Sequence, residues 1–341
     1  MLLLGATILP QPSLAHAFVQ SYRLPLPYHL YITGAVAALL LSFVLVGIFM
    51  RVGSNQPARH IPIGSHPILS VLSHIKPVLQ LLSVALLVLC IVSGLIGTTD
   101  PRRNFNMTFF WLIFALGGLY LSVFAGDFFA TLNPWKLLSE WSQKLIPKLK
   151  GGLIRYPQWL GYWPACLFYF VFIWLELLGF IRPYSLSIWL LAYTGTNFIL
   201  AGLFGVKTWF RYGELFAVMF RLAARLAPIN YQPNITGENL FQLRAPFSGL
   251  LRNEPEHYSL LVFILFMLSS TAFDGIRDTT LWFSLFWKDA TGLIQPLIGQ
   301  HPIHAYTWLR PWYVLYESIW LLLSPFLYLA AYWLFLWFGK I

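Results

Sequence analysis

Seven stretches of about 20 mostly apolar residues recur along the chain, near 29–50, 78–98, 108–127, 163–181, 186–206, 257–275 and 312–338. A helix of that length is about 30 Å long, the thickness of a bilayer's hydrocarbon core. Water is absent there, so a spanning segment must satisfy its own backbone N–H and C=O groups, and a helix does so within one segment. The stretches are continuously apolar rather than alternating, which selects helix over barrel strand. The expected fold is therefore all-α: a polytopic transmembrane helix bundle of about seven spans. It forms a single transmembrane domain over 29–341, behind an N-terminal segment of residues 1–28. The second span can begin as early as Pro67, with Pro77 inside its first turns.

Composition agrees with membrane residence. Of 341 residues only 10% are charged and 58% are apolar, where a soluble domain carries roughly 25% charge. Aromatics make up 18%, with 15 Trp, and such rings collect where a helix leaves hydrocarbon for the headgroup layer. The net charge of +10 is spread over the connecting segments rather than gathered in one stripe. Nucleic acid is thus not an expected partner, and the lipid bilayer is.

The placement of those charges orients the chain. Segments 51–77, 128–162, 207–256 and the C-terminal tail carry 15 Lys and Arg, and the alternate segments carry 7. By the positive-inside rule the first set is cytoplasmic, which puts the N-terminus outside and the C-terminus in the cytoplasm. Met1 to Ala17 agrees: an apolar run from Leu2 to Leu9, then Pro10 and Pro12, then Ser13-Leu14-Ala15-His16-Ala17, reads as a secretory signal. Small-x-small cleavage points follow both Ala15 and Ala17.

Three connecting segments are expected to hold structure at the membrane surface. Residues 134–150 set Trp135, Leu138, Trp141, Leu145 and Leu149 against Lys136, Lys144, Lys148 and Lys150, the pattern of an interfacial amphipathic helix; residues 209–226 repeat it. Residues 279–300 read as a re-entrant or interfacial segment. Cys90 and Cys166 lie inside apolar stretches without metal-ligand spacing and read as small core residues. Nucleophile-elbow, phosphate-loop, dinucleotide and HExxH patterns are absent from the sequence.

Chemistry is sought where polar groups interrupt hydrocarbon, because an ionisable residue there is costly unless it has a role. Glu176, Asp274 and Glu317 qualify, all in the outer half of their spans under the expected topology. Asp127 sits at an inner end close to Lys136 and reads as a snorkelling or paired residue. Near the outer trio lie Arg182, Arg277, Asp278, Arg310, His301 and His304. The i, i+3 spacing of His301 and His304 can turn two imidazoles toward one divalent metal, copper or zinc, with Asp274, Asp278 or Glu317 as a third ligand. If cleavage follows Ala15, His16 becomes the first residue and offers its amine and ring nitrogen to copper in the same site. Cytoplasmic His60, His66 and His74 read as a cation cluster facing anionic lipid.

From Ala15-His16-Ala17 through Leu24-Pro25-Leu26-Pro27 into the first span, and again at Ser270-Thr271-Ala272-Phe273-Asp274-Gly275, the chain resembles a bacterial family of multi-pass membrane proteins called fenitrothion hydrolases. The resemblance extends over most of the chain. It implies an inner-membrane enzyme that hydrolyses lipophilic phosphotriesters, and it assigns no catalytic residues. Three functions follow. A hydrolase of lipophilic esters would work with Asp274, Asp278, Glu317 and Glu176 as bases or metal ligands and with Arg277 or Arg310 against developing negative charge. A proton-coupled transporter would use Glu176, Thr196 and Asn197. A non-catalytic subunit of a larger complex would use its aromatic faces for packing.

The topology is testable by cysteine labelling of intact cells. A cysteine placed at Ser142 should be protected and one at Gln300 should react; the reverse pattern inverts the orientation.

Overall fold

The computed structural model describes residues 30, 33–34, 36–37, 39–44, 59–61, 67–145, 151–179, 181–233, 239–243, 246, 248–250, 257–277, 279, 282 and 302–339. The protein is an all-α transmembrane helix bundle. Six described helices are long and apolar enough to cross a membrane: His74–Ile96, Phe105–Ala125, Gln158–Leu177, Pro183–Phe204, Tyr258–Arg277 and Pro311–Phe338. The span expected near 29–50 is helical at the described positions between 30 and 44. The signal-like start and nearly all of 279–300 lie outside the described residues.

Numbered in chain order, the helices are α1 (Pro67–Ile96), α2 (Phe105–Ala125), α3 (Phe129–Leu132), α4 (Pro134–Leu145), α5 (Trp163–Leu177), α6 (Pro183–Phe204), α7 (Val206–Tyr212), α8 (Leu215–Ala223), α9 (Tyr258–Arg277) and α10 (Pro302–Phe338). They fall into two compact units. Among the described residues the first unit holds 161–181 and 257–339, hence α5, α9 and α10. The second holds 30–160 and 182–250, with the remaining helices and a small sheet.

In the first unit α9 packs along α10 and against α5. Lipid offers no hydrophobic drive for helices to associate, so small residues and interhelical hydrogen bonds hold them. Ser269 and Ser324 are 2.8 Å apart at their hydroxyls, Tyr169 and Ser270 are 2.9 Å apart, and Trp174 Nε1 donates to Ser318 Oγ at 2.7 Å. Where α5 begins, Tyr162 N donates to Ser259 Oγ at 2.7 Å. Trp282, from the segment expected at the interface, is buried against Phe273, Tyr316 and Trp320.

The second unit is built on start signals in its sequence. Asn133 caps α4 by accepting from Lys136 N at 3.0 Å, with Pro134 in the first helical position. Asn104 Oδ1 accepts from Asn106 N where α2 begins, and Pro183 opens α6. Residues Thr108–Gly117 of α2 are π-helical, and their wider turns bring Phe110 and Phe114 onto Phe216. Phe216 and Phe220 are fully buried, ringed by Phe129, Trp135 and Tyr193.

The described parts of the two amphipathic segments are helical, and protein covers part of their apolar faces, although Leu145 at the end of α4 is exposed. Trp135 and Leu137 of α4 are buried as α4 packs on α1 and α6. The segment 209–226, expected as one helix, is two, because Glu214 takes an extended conformation (φ −81°, ψ 125°) between α7 and α8. The connections also hold a three-stranded antiparallel sheet that hydropathy does not reveal. Its strands are β1 (Arg59–Ile61), β2 (Ile229–Pro233) and β3 (Asn239–Leu243), with β3 central. Tyr231 pairs with Phe241 on one side of it, and Ile61 pairs with Phe241 on the other.

One glycine fixes how closely α1 approaches α6. A Cβ at Gly94 would fall well inside contact with Asn106 Nδ2, Ser187 Oγ and the Pro183 carbonyl. Those groups are tied together, since Asn106 Nδ2 donates to Pro183 O at 2.8 Å and to Ser187 Oγ at 3.2 Å. Gly94→Ala should therefore destabilise the purified protein by about 1–3 kcal/mol, the cost of overpacking, read as a lower Tm in detergent.

Candidate functional site

The first unit brings together four of the residues that the sequence singles out. Arg277, the last residue of α9, donates from Nη1 to the carbonyl of Leu177, the last residue of α5, at 2.8 Å. A cation placed there meets the negative end of the α5 dipole and one of its unpaired carbonyls. Arg277 Nε also lies 3.9 Å from Glu317 Oε1 on α10, a residue only 5% exposed. The arginine thus ties all three helices at one end, and its guanidinium is already engaged.

Beside that tie sit two more carboxyls. Glu176 precedes Leu177 on α5 and Asp274 is one turn before Arg277 on α9, so the contact between Arg277 and the Leu177 carbonyl brings both carboxyls to the same end of the unit. Glu176 is exposed on its helix surface, whereas Asp274 is half-buried. An ionisable side chain on an otherwise apolar span is costly there and marks a candidate functional position.

The other expected positions are placed as follows. Arg182 belongs to the second unit, at the start of α6. His304 and Arg310 lie on the first turns of α10. His16, Asp278 and His301 lie outside the described residues. Among the described residues no three His, Cys, Asp or Glu side chains come together as a metal site would need. Asn197 of the transporter reading is fully buried in the second unit, where it donates to Tyr193 O at 2.9 Å and accepts from Trp209 Nε1 at 2.8 Å. Its amide is engaged at both ends. Asp127 takes a local role, accepting from Ala130 N at 3.1 Å to cap α3. Burial pushes its carboxyl above the ordinary range, while that hydrogen bond and the charges of Arg221 and Lys136 pull it back.

A second carboxylate centre escapes the sequence reading. Glu214 is fully buried, and both of its oxygens are filled. Oε1 accepts from Tyr193 OH at 2.5 Å and from Phe216 N at 3.0 Å; Oε2 accepts from Asn133 Nδ2 at 2.9 Å and from Ala217 N at 2.7 Å. The two backbone donors are the free N–H groups of the first turn of α8, which Glu214 caps. Asn133 caps α4 with its other amide atom, so two helix N-termini share one negative charge. Burial pushes this carboxyl up, and the four hydrogen bonds oppose that. The available signal is a glutamate directly before the apolar run Leu215 to Phe220, following Gly213.

No protein-family model, curated protein or solved structure matches the chain.

The two centres predict different mutational behaviour. Tyr193→Phe leaves one buried carboxylate lone pair unmet and should cost about 1–3 kcal/mol of stability. Glu214→Ala strands four donors and should cost more. Glu176→Gln should leave the melting temperature in detergent close to that of the wild type.

Proposed function

We propose that this multi-pass membrane protein hydrolyses lipophilic esters, phosphotriesters among them, at the end of the first unit where Glu176 and Asp274 meet. The observation that carries the reading is the juxtaposition of these two carboxyls on adjacent spans, one of them exposed within an apolar face. The resemblance to the fenitrothion hydrolase family supports the substrate class. Under the positive-inside reading, the site lies at the outer face of a bacterial inner membrane with the N-terminus outside.

In this scheme one carboxyl works in its ionised form as base and the other in its protonated form as acid. The ionised member takes a proton from a water molecule as the water oxygen forms a bond to phosphorus. The bond from phosphorus to the leaving oxygen breaks, and the protonated member returns a proton to that oxygen. A lipophilic ester reaches such a site laterally from the bilayer, so the exposed position of Glu176 on its span suits the substrate. Arg277 is a positioning residue in this scheme, because Leu177 O and Glu317 hold it and it in turn fixes the ends of α5 and α9.

The test is hydrolysis of a chromogenic lipophilic phosphotriester by purified protein. Asp274→Asn and Glu176→Gln should each lower kcat by about 100-fold or more, the usual contribution of a general acid or base, with membrane expression intact. Lys144→Ala should leave kcat unchanged. Wild-type rates in both carboxyl variants, or no hydrolysis by the wild-type protein, would move the assignment to proton-coupled transport or to a subunit of a larger complex.

A further inference from the structure

The end of α6 gathers Arg155 with Arg211 and Arg221 of the two helices that follow α6. Helix α6 has 22 residues and is therefore about 33 Å long, enough to place its last residue, Phe204, at the hydrocarbon boundary. The chain then turns at Gly205, whose φ of +83° suits glycine, and α7 folds back beside the span. Trp209 stacks on Phe204, and its indole N–H reaches Asn197, two turns inside α6. Arg211 of α7 is thereby kept near the boundary.

Two further contacts bring the other cations to the same level. Arg221 of α8 donates from Nη2 to the Arg211 carbonyl at 2.5 Å. Leu153 N and Ile154 N both donate to Leu203 O, at 2.8 and 2.9 Å, which pins the segment carrying Arg155 against the end of α6. Tyr156 then stacks on Tyr212 with ring centres 5.7 Å apart, and the Arg211 guanidinium lies 5.2 Å from the Tyr212 ring. Arg155 and Arg211 are exposed. Next to Arg155, Leu153, Ile154 and Trp159 expose 67%, 57% and 73% of their surfaces.

We propose that this patch binds the phosphate of an anionic phospholipid between Arg155, Arg211 and Arg221, with the acyl chains lying on Leu153, Ile154 and Trp159. The chemistry fits at three points. Guanidinium groups match phosphate oxygens in planar pairs, tyrosine pairs sit at the headgroup level, and the adjoining apolar surface serves a lipid and has no use to a free anion. The site lies wholly in the second unit and is independent of the hydrolase reading.

The test uses full-length protein in an uncharged detergent, with phosphatidylglycerol or phosphatidylcholine of matched chains added and bound lipid read by native mass spectrometry. The wild-type protein should retain phosphatidylglycerol in preference, and each of Arg155→Gln, Arg211→Gln and Arg221→Gln should weaken that preference about fivefold. The double variant Arg102→Gln, Arg103→Gln, ahead of α2 at its other end, should leave it unchanged. Arg155→Gln keeps the test sound if Arg221→Gln impairs folding, because Arg155 is exposed. Equal retention of the two lipids, or full retention by the Arg155 and Arg211 variants, would overturn the proposal. Displacement of bound lipid by inorganic phosphate at equal concentration would assign the patch to a free anion instead and overturn it equally.

Discussion

A carboxylate taken out of water must be given donors, and the second unit is arranged around the supply of four to Glu214. Two of them come from the first turn of α8, one from the residue that caps α4, and one from the middle of α6. Each donor solves a problem of its own element: the α8 amides would otherwise be unpaired, and the Tyr193 hydroxyl would be buried without an acceptor. Once the carboxylate is in place, the starts of α4 and α8 and the middle of α6 are fixed relative to each other. The aromatic cluster of Phe216, Phe220, Trp135 and Phe114 then packs onto a frame already set by hydrogen bonds. In a medium with little hydrophobic drive between helices, such directional contacts decide which faces meet.

The first unit meets the same constraint with separate bonds between neutral side chains. Serines at 269, 270, 318 and 324 pair with one another or with the Tyr169 and Trp174 tips, and Arg277 closes the end. Small hydroxyl residues let the helix backbones approach closely, while one guanidinium neutralises a helix C-terminus and a carboxylate together. The second unit gathers four donors on one buried carboxylate, and the first distributes single hydrogen bonds along the length of its helices.

Hydropathy made the spans legible because it is additive over 20 residues, and a few errors at the ends do not change the sum. The boundaries shifted by only a few residues; for instance the stretch read as 186–206 is Pro183–Phe204, because Pro183 is a natural first helical residue. The convergence of Glu176, Asp274, Arg277 and Glu317 was suggested by their rarity in apolar segments. Glu214 was not, since it lies in a charged connection where a glutamate attracts no notice, and its partners Asn133 and Tyr193 are 81 and 21 residues away. The amphipathic pattern of 134–145 likewise gave a helix but not its neighbour, because an apolar face looks the same whether lipid or protein covers it. The sheet strands escaped for the opposite reason: they are 3 to 5 residues long, too short for a period to emerge.

Comparison of the two glutamates separates architecture from chemistry. Glu214 and Glu176 are the same side chain in a membrane protein, yet every oxygen lone pair of Glu214 faces a donor supplied by a cap, a backbone amide or a tyrosine. Moving a proton onto it would require Tyr193 to turn its hydroxyl and give up a bond, so a substrate gains nothing from it. Glu176 is exposed on its span, and what the fold brings to the same end of the unit is a second carboxyl, Asp274, rather than a set of donors. A group held in that way can exchange a proton without dismantling the helix contacts around it, since Arg277, Glu317 and the serine pairs bear the packing independently. In the proposed hydrolase, this separation of duties supplies a rigid frame made by other residues and leaves the two carboxyls at its edge for acid–base work.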